Sequence, residues 1–280
     1  DYSKNLQAVI DAAESRFAPT WYQKYFPFAP IQQSLTFTSV IGSSRIEAAA
    51  SVVNRSSEAP LRARAQLEKY QGEIPAIKEK FAMRENDYRD YLALQALSVD
   101  EQTKKRQLLD LLFGDVEKAG NSAHKRMDIM ALQAVSTGKI SLTVENNPDG
   151  VVLKSDLDLL MPSGNKSDIT GTANRKWSVP ATATPITDIA TVVSGARAKG
   201  RSFTIILMAM NQWLQLSKCK EVVDSLVSFN MLQKGAGIAT LERVNEYLTA
   251  NLLPVIEVVD EVIGIEKDGV INPIRPWKEG

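Results

Sequence analysis

The stretch from Ser98 to Lys139 constrains this 280-residue chain more than any other. Within it Leu108, Leu112, Val116, Ala119, Ala123, Met127, Met130 and Ala134 recur at steps of four, four, three, four, four, three and four. The mean step is close to the α-helical period. One continuous stripe is therefore expected to face a core, while Lys104, Lys105, Glu117, Lys118, Lys125 and Asp128 face elsewhere. Ser98 with Glu101 three residues on reads as a capping box. Thr137-Gly138-Lys139 reads as the stop, glycine being free to turn left-handed after the last turn. A helix over 98–138 is on the order of 55 Å long, well beyond the roughly 8–20 residues of an ordinary globular helix. Gly114 and Gly120 each cost about 1 kcal/mol against alanine, so a kink at either is the alternative to an unbroken rod. A rod with one buried stripe is a scaffold strut rather than a catalytic platform.

Composition narrows the class. The apolar fraction of 44% and charged fraction of 24% are those of an ordinary soluble globular protein. The 33 basic and 33 acidic residues cancel. Residues 1–140 hold nineteen basic and seventeen acidic residues, so the halves differ only as +2 and −2. That balance gives no electrostatic footprint for sequence-read nucleic acid and no charged tail. A single cysteine, Cys219, excludes an internal disulfide framework and suits a reducing compartment at synthesis. The start, Asp1 to Ala13, is polar and amphipathic, unlike a secretory signal. The longest uncharged run, Ser202 to Ser217, carries Asn211, Gln212 and Gln215 and falls short of a bilayer span. The expectation is a soluble protein with no membrane segment, processed or trimmed at its first residue.

The flanks of the rod have their own patterns. Asp1 to Ser15 has helical spacing, and Phe17 to Pro30 then packs six aromatics and three prolines into fourteen residues. Proline at this density prevents regular helix and sheet pairing, while the aromatics need a surface to bury against. An extended arm laid on another chain and a loop covering its own core are both open readings. Leu35 to Ile41 alternates like a strand. Ile46 to Val53 and Leu61 to Gln71 flank the polar turn 54–60, as in a projecting hairpin. A two-stranded ribbon is marginal alone in water, so it needs a partner outside itself; a disordered insertion is the alternative. A short helix from Tyr88 to Gln95 precedes the rod.

After the rod, Ile140, Leu142 and Val144 alternate, 146–150 turns, and Val151, Leu153, Ser155 and Leu157 alternate again, a hairpin pattern. Met161 to Arg175 is a loop. Helices are expected over 186–199, 211–217, 221–229 and 240–250, the last with Thr240 as N-cap. A buried strand over 203–208, a strand over 255–259 and a hairpin over 264–274 around Lys267-Asp268-Gly269 complete the chain. Alternating strand and helix argue for an α/β layer at the C-terminal end.

Chemical constellations are sparse. His124 is the only histidine, so any Ser-His-Asp or Cys-His arrangement must use it; mid-rod beside the stripe it reads as a structural residue. Cys219 between Lys218 and Lys220 is either a thiol with a lowered pKa or an incidental half-buried residue. One Cys and one His fall short of a zinc set. Asp156 and Asp158 share one strand face and are candidates for a hard cation with Asp149 or Asp168, against ordinary solvated carboxylates. Gly235-Ala236-Gly237 lacks the third glycine and preceding strand of a dinucleotide fingerprint. No catalytic, cofactor-binding or metal residue is assigned, and no cofactor.

Taken in order, several phrases resemble the major capsid proteins of tailed bacteriophages, in particular the lambda-type major head protein family (capsid family E) with its Hong Kong 97-type fold. Lys125-Arg-Met-Asp-Ile-Met-Ala-Leu-Gln-Ala-Val-Ser-Thr-Gly-Lys-Ile140 resembles the family's end-of-spine-helix motif. Leu157-Asp158-Leu-Leu-Met-Pro162 is similar to its short strand phrase. Trp177 with Thr184-Pro-Ile-Thr-Asp-Ile189 resembles the entry to the axial domain. Ile205 to Met208 with Trp213, Leu241 to Leu248 and Pro254 to Val258 follow in the family's order. The likeness runs from about Phe26 onward. Family members usually continue past a segment like Asn272 to Pro276, which bears on where this chain stops.

The resemblance implies an α+β fold of four parts. These are an N-terminal arm over 1–41, an extended β-hairpin loop over 42–80, a peripheral domain over 81–176 with the spine helix 98–138, and an α/β axial domain with return strands over 177–280. It implies a structural, non-enzymatic protein of a phage or prophage virion, assembled in the bacterial host cytoplasm. Its partners are then copies of itself in hexamers and pentamers of an icosahedral shell, with scaffold, decoration and portal proteins and non-specific contact with packaged DNA. An encapsulin-like compartment enclosing protein cargo keeps the fold and changes the contents. A metal-dependent hydrolase using the Asp156/Asp158 region is the rival of a different class.

Overall fold

The computed structural model describes residues 20–28, 30, 36–42, 67–73, 76–78, 89, 92–93, 101–150, 152–153, 155–167, 176–228 and 238–278; for 36–42, 67–73 and 101–117 it describes the backbone alone. The helix expected over 1–15, the capping box at Ser98, the loop tip at 43–66 and Gly235-Ala236-Gly237 lie outside these residues. Two compact units are distinguished. The first comprises 1–33, 74–157 and 263–276, and the second 34–73, 158–262 and 277–280.

The first unit is built on the rod. After helix α1 (Trp21–Tyr25) comes one helix of 37 residues, α2 (Glu101–Thr137), unbroken through Gly114 and Gly120. Gly138 ends it at φ 72°, its N–H bonded to Ala134 O at 2.9 Å, as the Thr-Gly-Lys stop predicts. Among the described side chains of the rod, 118–137, the face buried deepest is not the one the stripe predicts. Ile129 and Leu132 are buried together with Asp128 and Gln133, while Met127, Met130 and Ala134 are only half-buried. Asp128, expected to face elsewhere, has no exposure at all.

The hairpin expected after the rod is largely replaced by a polar turn. Strand β3 is only Lys139–Ile140 and β4 only Leu157–Asp158, and Leu153 N–H bonds Leu142 O at 2.9 Å between them. The reason is Asn146, which is buried. Its Oδ1 accepts from Thr143 N–H at 2.9 Å and its Nδ2 donates to Ser141 O at 2.9 Å, occupying backbone groups a ladder would use. Strands β7 (Ile263–Lys267) and β8 (Val270–Ile274) form the expected hairpin, turned at Asp268 and Gly269 with φ of 54° and 78°. Ile263 and Ile265 on one face are buried, while Val270 and Ile271 are exposed.

In the second unit, β1 (Thr36–Gly42) pairs antiparallel with β2 (Leu67–Glu73), from Thr36 opposite Glu73 to Gly42 opposite Leu67. A single 3₁₀ turn occupies Ser163–Asn165. The α/β layer is then α3 (Pro185–Ala198), β5 (Ile205–Ala209), α4 (Met210–Leu216), α5 (Lys220–Ser228), α6 (Leu241–Ala250) and β6 (Val255–Val259). Strands β5 and β6 pair in parallel, Ile205 with Val255 through Ala209 with Val259. One core joins these elements through Val193, Met208, Trp213, Leu216, Val222, Leu226, Val244, Leu248 and Ile256. Strand β5 starts two residues later than expected and is buried only at Met208 and Ala209.

Candidate assembly surfaces

Among the described residues of 17–30 one helical turn, α1, forms between the prolines, and it is seated on the rod by Tyr22. The Tyr22 N–H donates to Asp128 Oδ1 at 2.9 Å, and the Tyr22 hydroxyl lies 2.8 Å from His124 Nδ1. The two rings stack at 6.0 Å with 16° between planes. Phe28 meets Tyr22 edge-on at 5.8 Å. Burial, with the Asp128 charge adding to it, pushes the Tyr22 phenol above its ordinary value. Asp128 also faces Lys125 Nζ at 3.4 Å. This part of the arm thus covers its own chain, one of the two readings left open by the sequence. Phe28 remains 68% exposed and Phe26 42%, so the arm still presents aromatic surface.

The lower rod is tied to the turn that follows it. Arg126 Nη1 donates to Asn146 O at 2.5 Å, and Gln133 Oε1 accepts from Ser141 N–H at 3.1 Å. Arg126 and Gln133 are two of the polar members of the end-of-helix phrase, and each fixes the chain's exit from the rod. Gln133 is buried, and a buried amide persists only with such a partner.

In the second unit a carboxylate from one helix caps another. Glu221, in the first turn of α5, accepts from Ile186 N–H at 2.8 Å and Thr187 N–H at 3.3 Å, and bonds the Thr187 hydroxyl. This anion sits where the α3 amides lack intrahelical partners. Trp177 Nε1 donates to buried Asp188 at 3.1 Å, and Lys220 N–H to Pro180 O at 2.8 Å, fixing the entry segment. Thr240 takes the N-cap position of α6 as expected, but its side chain makes no cap bond. Two shallow hollows of about 450 and 470 Å³ open on this unit. The first is lined by Glu221, Asp224, Ser225, Ser228, Tyr247 and Asn251, a set with no nucleophile–base pair. Large apolar side chains also stand exposed, Phe203 at 48% and Leu252 at 76% among them.

Two of the residues weighed for chemistry, His124 and Cys219, make structural contacts. His124 holds the arm. Cys219 is fully buried rather than half-buried; its thiol donates toward Gln215 O at 3.3 Å, and burial with the Glu221 charge pushes it up to about 11. The flanking lysines therefore do not activate it. Asp149, Asp156 and Asp158 are exposed, and Asp158 accepts from Leu160 N–H at 2.8 Å in a local turn. Asp168 lies outside the described residues. Among the described residues no group of three His, Cys, Asp or Glu side chains is placed to hold a metal, and no helix is long and apolar enough to cross a membrane.

Sequence reasoning missed Asp128 as the arm's anchor and Glu221 as a cap. The only sign of the first was a carboxylate between Met127 and Ile129; for the second there was none, since its partners lie 35 residues away.

Comparison with known proteins gives two findings. The family model for phage major capsid protein E matches residues 4–269. A crystal structure described as that of a capsid protein of prophage (E. coli CFT073) is similar in fold, with a TM-score of 0.51 and 16% sequence identity over 96% of this chain and 76% of that one. No curated protein matches the chain.

Proposed function

The chain belongs to the phage major capsid protein E family, and from that membership we propose that it closes into an icosahedral shell of hexamers and pentamers around packaged DNA. Members of this family are structural and not enzymatic, so the chain is a structural capsid protein and a component of a virion that assembles with copies of itself. The observation carrying the proposal is the family match over residues 4–269.

The finer reading is a Hong Kong 97-type subunit. In it α2 is the spine helix of a peripheral domain over 81–176, the chain over 42–80 is the extended loop, 1–41 is the arm, and 177–280 is the axial domain with return strands. The 37-residue rod and the parallel β5–β6 layer support this reading, while β1, nearly all of it in the stretch read as arm, pairs with β2 in the stretch read as loop. Assembly takes place in the host cytoplasm, with scaffold, decoration and portal proteins as further partners. A ring-closing shell needs heterologous contacts, in which each subunit offers one surface and receives another. Zero net charge suits a wall that confines DNA without reading it, since phosphate binding would require a basic face.

Expression of the chain, followed by gradient sedimentation and negative-stain imaging, tests the proposal. Closed particles of uniform diameter are expected, built from rings of six and five. A strictly monomeric protein at every concentration would overturn the proposal, and shells enclosing only protein would overturn its DNA part.

A further inference from the structure

We infer that Leu252 is a contact residue between subunits: a strained turn at the end of α6 holds it out of its own chain, and its side chain is buried by a second copy. The inference rests on the capsid reading above, which supplies that copy as the partner.

Helix α6 ends in a Schellman motif. Leu253 N–H bonds Leu248 O at 2.8 Å, and Leu252 N–H bonds Thr249 O at 3.0 Å. Leu252 thereby takes the left-handed position, at φ 58°. Glycine is the usual occupant, because a Cβ there crowds the following carbonyl. Helix α3 closes with the same two bonds, Arg201 N–H to Ala196 O and Gly200 N–H to Arg197 O, and has glycine at φ 70°. The rod likewise stops on Gly138. Leucine in this position departs from the chain's own practice.

Its own subunit gives the side chain little in return. The apolar contact that accompanies such a motif comes from the next residue, and Leu253 does pack against the core that holds buried Leu248. Leu252 is 76% exposed, the most of any large apolar side chain among the described residues. The turn is nevertheless held firmly, since the Arg197 guanidinium from α3 donates to the Leu252 carbonyl. A knob fixed in advance loses little freedom on docking.

Leu252 does not stand alone. Val255 N–H bonds Thr204 O at 3.1 Å, so the chain around Leu252 lies at the end of the β5–β6 pair where Phe203 and Ile205 are also exposed. The segment reaching that end from α3 carries Arg197, Lys199 and Arg201. The surface that receives it is therefore apolar with acidic side chains at its rim, offered by the neighbouring copy in a heterologous contact.

The full chain and two variants test the inference. In urea unfolding of unassembled subunits, Leu252→Gly should lower the unfolding constant about two- to fivefold, because relief of strain exceeds the freedom glycine adds to the unfolded chain. In gradient sedimentation the same variant should need about tenfold more protein to form particles, the loss of roughly one buried leucine per contact. Maleimide should label Leu252→Cys quickly in free subunits and slowly in particles, Cys219 being buried in both. An unchanged assembly threshold in Leu252→Gly, or equal labelling of Leu252→Cys in the two states, overturns the inference and leaves the shell reading standing. A Leu252→Gly subunit less stable than wild type also overturns it, since the leucine would then serve its own fold. Wild-type protein that forms no particles overturns both.

Discussion

Asn245 stands in for a missing strand beside Ile256. Its Nδ2 donates to the Ile256 carbonyl at 2.9 Å and its Oδ1 accepts from the Ile256 N–H at 2.7 Å. In a parallel pair, alternate residues turn both backbone groups toward the same neighbour. Val255 N–H bonds Thr204 O on the β5 side, so Ile256 turns its groups away from β5 and toward α6. The side-chain amide from α6 thus satisfies the buried Ile256 backbone groups on the side of β6 away from β5, which would otherwise be left unpaired.

Replacing Asn245 by alanine should lower the unfolding free energy by about 2–3 kcal/mol, the cost of leaving one buried donor and one buried acceptor unmet. Asn245→Asp should be about as harmful, because a carboxylate oxygen would then face the Ile256 carbonyl. Urea denaturation of unassembled subunits gives the comparison, and a loss under about 0.5 kcal/mol for both variants contradicts the edge role.

Glu221→Ala should cost about 1 kcal/mol, since Ile186 and Thr187 lose their cap, and Glu221→Gln less, because an amide oxygen still accepts. The loss should appear as faster hydrogen exchange at residues 186–188. A uniform change across the second unit would instead implicate packing of α5.

The Cys219 thiol gives a pH signature. Its pKa is raised in the folded state from 9.0 to about 11, so the folded protein holds the proton that the unfolded chain releases. Stability from this group is therefore complete below about pH 9 and is lost as pH climbs toward 11. Subtracting the profile of Cys219→Ala isolates that slope from other alkaline titrations. Maleimide labelling of the folded wild type should be slow at pH 8 and fast in urea; rapid labelling in the absence of urea would contradict the burial.

Gly138→Ala should cost about 1 kcal/mol, because a residue with a Cβ is strained at φ 72°. Gly138→Asn should cost less, asparagine being the next best occupant of that conformation. A thermal scan of the three proteins orders them, and equal midpoints would mean that the rod's exit has relaxed.

Local pattern made much of the fold legible. The rod, its glycine stop, α3, β6 and the 263–274 hairpin follow from period and turn chemistry within a few residues. The hairpin after the rod was over-read, because alternation in Ile140, Leu142 and Val144 does not reveal that Asn146 will take the backbone groups for itself. Over 118–137 the stripe was misplaced for a related reason. Periodicity ranks apolar residues, and it gives no weight to Asp128 or Gln133, which are buried on account of the partners they meet.

By itself the sequence determined the rod with its glycine stop and the C-terminal hairpin, and through the order of its phrases it determined the family, because both are carried by residues near one another in the chain. The tertiary structure alone decided which polar side chains go inside. Tyr22 meets Asp128 across 106 positions, and Ile186 meets Glu221 across 35. A buried charge or amide is tolerated only where folding delivers its partner, and no local spacing encodes that delivery.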